Sequence, residues 1–119
     1  MELPEFEAYV NEAIAMVPTH IRKKIENVAF VVDQTQHGNL LGLYRGIPLP
    51  RRGNQGYTGV LPDTITIYKQ AIEDHVGPES EAIRKKVIEV VHHEIGHYFG
   101  FDETKVRAWE KQRAHRIAS

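Results

Sequence analysis

Apolar residues recur near the start of the chain at Phe6, Val10, Ile14 and Val17, with Ala13 beside them. Steps of four, four and three trace one face of a helix, and they predict one over residues 4–17. Pro18 ends it and can open a second, short helix at its first position. There Ile21 and Ile25 face inward, while Arg22, Lys23 and Lys24 read as a solvated outer face. The period then changes. Val28–Val32 is a short, β-branched run bounded by Asn27 and Asp33, and its length predicts a buried strand. After the polar stretch Gln34–Asn39, a second strand is expected from about Leu40 to Ile47. Within it, Gly42 marks a bulge or a close backbone approach.

Pro48–Pro62 is rich in Pro and Gly and reads as a long loop, a kind of connection that is usually functional or mobile. The simpler reading of Arg52 and Tyr57 is a loop tip rather than a substrate flap. From Asp63 to Lys69, Thr64, Thr66 and Tyr68 alternate with Ile65 and Ile67, the period of a strand with one buried face. Residues 70–77 read as a connection, punctuated by Gly77-Pro78. The longest helix is predicted from about Glu79 to Phe99, with Ile83, Val87, Val90, Val91, Ile95 and Tyr98 as its core stripe. A last helix starts near Glu103, anchored by Val106 and Trp109, and its basic tail reads as a solvated face. The class is α+β: N-terminal helices, a small sheet of about three strands, a long helix and a C-terminal helix.

The chemistry lies on the long helix. His93-Glu94-Ile95-Gly96-His97 is His-Glu-x-x-His. Residues four apart share one face of a helix, so two imidazoles can grip one metal ion. Glu94 beside them can take a proton from water as a general base. Gly100 follows at the spacing where the helix can stop by entering the left-handed region. The returning chain then brings a carboxylate, Glu103 with Asp102 next to it, as a third ligand. Two His and one carboxylate with an open fourth position describe a catalytic zinc site. His92 is turned about 100° from His93 and reads as a surface or packing residue. His20 and His75 read as surface.

The 119 residues are enough for one domain, spanning 1–119. A formal net charge of −1 provides no general attraction to nucleic acid or anionic membrane, so neither is expected as a partner. With no cysteine, disulfides and thiolate metal sites are excluded. The acidic start, Met1 to Glu7, lacks the apolar run of a signal peptide. No stretch approaches the roughly 18 apolar residues of a membrane span. The expected compartment is the cytoplasm.

The extended string His-Glu-x-x-His-x-x-Gly-x-x-Glu, from His93 to Glu103, resembles the motif of the metzincin zinc peptidases. It is more similar still to the small bacterial minimal zincins, a family of zincin-like metallopeptidases. The likeness runs through Asn27–Val32, Leu41–Leu49 and Leu61–Tyr68 to the His-rich helix. It implies a zincin-like fold and a zinc peptidase acting on a peptide or protein. It also implies His93, His97 and Glu103 as metal ligands, which leaves Asp102 to cap the last helix. The family usually carries Asp where Glu103 stands, and the Met-containing turn of the larger metzincins has no counterpart here, since Met1 and Met16 both precede the motif. The resemblance further suggests that the strand before the helix forms a sheet edge for an extended substrate. Sixteen residues follow Glu103, so an open, shallow site is expected. Two other functions compete. One is a non-catalytic zinc-binding or interaction domain. The other is an RNA-processing metal hydrolase, suggested by a loose likeness of Gly100–Glu103 to the motif ending of ribosomal-RNA-maturation endoribonucleases. Glu94, Glu103 and the near-neutral charge weigh against the second.

Overall fold

The computed structural model describes residues 1–46 and 62–100. The expected last helix, residues 48–61 of the expected Pro48–Pro62 loop, Asp102 and Glu103 lie outside them. Helix α1 (Leu3–Ala15) buries Phe6, Val10 and Ala13 along the predicted stripe, and Val17 continues it just past the helix. A single turn, α2 (Thr19–Arg22), follows Pro18. Asn27 then adopts φ 54°, a left-handed setting that Asn tolerates better than most residues. It leads into strand β1 (Val28–Asp33). At the far end of β1, the Asp33 carboxylate accepts bonds from the Thr35 N–H at 2.8 Å and the Thr35 hydroxyl at 2.6 Å. These bonds close an Asx turn and hold the Asp33 carboxyl below its ordinary pKa.

Strand β2 (Gly42–Arg45) and strand β3 (Asp63–Tyr68) complete the described sheet, in the order β1-β3-β2. β3 pairs parallel with β1 and antiparallel with β2. The expectation that β3 forms the sheet edge is therefore overturned, because β3 has a strand on each side. Its alternation of buried Ile65 and Ile67 with half-buried Thr64 and Thr66 reports one covered face and says nothing of its neighbours. Among the described residues, β2 and β1 are the edges.

A second correction concerns residues 70–77. They are not a plain connection: Lys69–Val76 forms helix α3. Ala71 and Ile72 are buried, and two pairs at i, i+4 support the turn, Lys69 to Glu73 at 3.2 Å and Gln70 to Asp74 at 2.9 Å. Gly77 ends it at φ 89°.

Helix α4 (Ser80–Tyr98) packs against α1, α3, β2 and β3. All six residues of its predicted stripe are buried. Register places Val28, Phe30, Val32, Asp63, Ile65, Ile67, Gly42 and Tyr44 on the sheet face toward this core. Near the N-terminal end of α4, the Arg84 Nε donates to both Glu12 oxygens at 3.0 Å. That bond, more than the accompanying charge, holds the Glu12 carboxyl below its ordinary value. At the other end, the fully buried Tyr98 hydroxyl donates to the Lys24 carbonyl at 3.2 Å and accepts the Glu26 N–H at 3.1 Å. α4 is thus tied to the rest of the molecule at both ends.

Candidate metal centre

The last two turns of α4 bring His93, Glu94 and His97 to one place. Their potential ligand atoms all lie within 4.8 Å of one another. Helical periodicity alone stacks the two imidazoles, with centroids 4.8 Å apart and planes at 73°. The Nε2 atoms point at each other across 3.1 Å. Nitrogens that close share either a proton or a cation. Two ligands each about 2.0–2.1 Å from a tetrahedral zinc would stand roughly 3.3–3.4 Å apart, so the pair fits a shared ion.

Both imidazoles are half-buried, whereas Glu94 is only 7 % exposed. Glu94 packs under β2, where the Gly42 backbone passes over it. A Cβ built on Gly42 would stand 3.3 Å from the Glu94 Cγ and 2.6 Å from the Val90 Cγ1. Of the two readings of Gly42, the structure therefore has the close approach. The β2–β3 register runs without interruption from Gly42–Ile67 to Arg45–Thr64, which leaves no bulge in that strand. The base candidate is lodged between a helix and a strand rather than displayed on a loop.

The helix ends as its sequence requires. Gly100 takes φ 79°, and its N–H donates to the His97 carbonyl at 2.9 Å. The chain leaves α4 just beyond the second imidazole. Glu103, the third expected ligand, lies outside the described residues, as do Arg52 and Tyr57.

The neighbouring histidine has a different task. His92 is 2 % exposed, and its Nε2 lies 2.8 Å from the Ala13 carbonyl, joining α4 to the end of α1. It is a packing residue. His20 and His75 are exposed, as their patterns predict.

One residue escapes the sequence reading. Asp63 is 2 % exposed and accepts a 2.6 Å bond from the Tyr44 hydroxyl. Its carboxylate lies so near Gly46 that a Cβ there would overlap it at 2.2 Å. Nothing local announces this, since Asp63 at the start of a strand reads as ordinary punctuation. A separate cleft of about 330 Å³ lies between the α1–α2 region and β1, lined by Ile14, Arg22, Ile25 and Phe30 among others. None of the His93, Glu94 and His97 cluster lines it. No helix among the described residues is long and apolar enough to cross a membrane.

Two comparisons with known proteins bear on the site. A family model described as zincin-like metallopeptidase matches residues 17–113. No curated protein matches the chain.

Proposed function

Because the chain belongs to the zincin-like metallopeptidase family, we propose that it is a zinc-dependent hydrolase cleaving peptide bonds in a peptide or protein substrate. The observation that carries this reading is the 3.1 Å convergence of the His93 and His97 Nε2 atoms with Glu94 beside them. His93 and His97 would hold the ion with Glu103 as third ligand, and zinc, when bound, supplies Lewis acidity toward water and a carbonyl oxygen. Glu94 acts as general base: its carboxylate takes a proton from the attacking water and passes it to the leaving amine. The rigid setting of Glu94 suits this work, because a base held between β2 and α4 needs little reorganisation to meet its proton.

The test pairs metal content with turnover. Zinc per chain is measured by elemental analysis on the wild type, Glu103→Ala and Glu94→Gln, together with cleavage of a peptide library. The expected result is about one zinc in wild type, lost in Glu103→Ala, and zinc without turnover in Glu94→Gln. Zinc surviving in Glu103→Ala would move the third-ligand role to Asp102. Undiminished turnover in Glu94→Gln would remove Glu94 as the base. Zinc with no turnover in any chain would favour a non-catalytic zinc-binding domain.

A further inference from the structure

Gly42 sits where β2 crosses α4, and its backbone is ordinary extended strand. Its missing side chain therefore serves space, not conformational freedom. The space is narrow. An added Cβ would meet the Val90 Cγ1 at 2.6 Å, a distance that real Cβ atoms essentially never show, and the Glu94 Cγ at 3.3 Å. Val90 cannot easily yield, because it is buried and its branched Cβ leaves few rotamers. The Thr66 carbonyl, also 3.3 Å from the built Cβ, closes a third side from β3. A methyl group at this position must lift β2 from α4 or displace both Val90 and Glu94, the latter by a few tenths of an ångström.

From this we infer that Gly42 is a positioning residue for Glu94: its bare backbone forms the wall that fixes where the carboxylate points. The inference rests on the hydrolase reading, in which that direction decides proton transfer. The two imidazoles do not depend on the same wall, since one helix sets both of them. Thickening the wall by one methyl should therefore separate metal binding from turnover. A displacement of a few tenths of an ångström at the base lowers kcat by about tenfold, on the scale by which misplacing a reacting group by 1 Å costs about a hundredfold.

The experiment compares wild type, Gly42→Ala and Leu43→Ala, all zinc-loaded. Leu43 lies on the opposite face of the same strand, so its variant weakens β2 without touching Glu94. Four quantities are read: zinc per chain, kcat, KM, and the carbon-13 signal of the Glu94 carboxyl. For Gly42→Ala we expect full zinc content, KM within about twofold, kcat down about tenfold and a moved Glu94 signal. For Leu43→Ala we expect none of these changes beyond lowered stability. If Gly42→Ala does not fold, Gly42→Ala/Val90→Ala makes room for the methyl at the valine and leaves it against Glu94 and the Thr66 carbonyl; the same readouts apply. Wild-type kcat with an unmoved signal would overturn the inference. So would equal losses of kcat in the Gly42 and Leu43 variants at equal loss of stability. A wild type that cleaves no peptide would overturn the hydrolase reading instead, and the Glu94 signal alone would then decide the positioning role.

Discussion

The two halves of α4 are built from the same kind of helix and differ in what they bury. Its first three turns bury Ile83, Val87, Ile88, Val90 and Val91, with Arg84, Glu81, Lys86 and Glu89 paired on the outside. Its last two turns bury His92, Glu94 and Tyr98 next to Ile95. Apolar burial stabilises by roughly 1.5–3 kcal/mol per large side chain, so the first half can be filled by anything of suitable shape. A buried polar group stabilises nothing unless it is bonded, so each residue of the second half needs a specific partner. His92 has the Ala13 carbonyl, and Tyr98 has Lys24 and Glu26. The first half holds the molecule together, and the second half is where its chemistry can reside.

That contrast can be broken at four points. Glu94→Gln should lower kcat by about 10²–10⁴-fold, the range for losing a general base, and shift unfolding far less than a core truncation does. Thermal melting and single-turnover kinetics on one preparation check both halves of that statement. Ile83→Ala should do the reverse, lowering stability by about 2–5 kcal/mol in urea unfolding while the surviving folded fraction keeps its zinc. Tyr98→Phe keeps the ring and removes the hydroxyl, leaving the Glu26 N–H and the Lys24 carbonyl without this partner. A loss of about 1–3 kcal/mol is expected in the same assay.

The smallest effect belongs to Glu12 and Arg84. The pair holds the Glu12 carboxyl below its ordinary 4.5, so its stabilisation is fully present above that value and fades as pH falls through the lowered folded-state value. Glu12 is more than one-third exposed, and solvent limits the contribution to a few tenths of a kcal/mol. Unfolding of wild type and Glu12→Gln should differ slightly at pH 6 and converge toward pH 3. A gap that widened as pH fell would assign the pair the wrong sign.

Much of this was legible in the residues. Phe6, Val10 and Val17 announced their face through spacing alone, as did Ile83 through Tyr98, because a long amphipathic helix repeats its message several times. His93, Glu94, His97 and Gly100 were legible for a similar reason: their juxtaposition follows from one helix and its stop. Helix α3 was less legible. It offers two turns, only Ala71 and Ile72 buried, and a Gly-Pro behind it that reads as loop. The central place of β3 was not legible at all, since its partners lie 35 residues away in β1 and 19 to 25 away in β2. Separation along the chain also hid the Tyr44–Asp63 bond and the longer-range approach of Gly42 to Glu94. Local sequence specifies what a segment buries, but not what it meets.

The parallel pairing of β1 with β3 sets an order of events. Parallel neighbours cannot close through a tight turn, so Val28–Asp33 must wait until the chain has run out to Asp63–Tyr68 and returned. The two imidazoles, by contrast, face each other as soon as two turns of α4 wind, on a timescale far shorter than sheet assembly. In a refolding chain the pair of nitrogen donors is therefore set before the β1–β3 ladder closes. The geometry of the imidazole pair is thus a local property of one helix, whereas the setting of Glu94 beneath β2 waits for the assembled sheet.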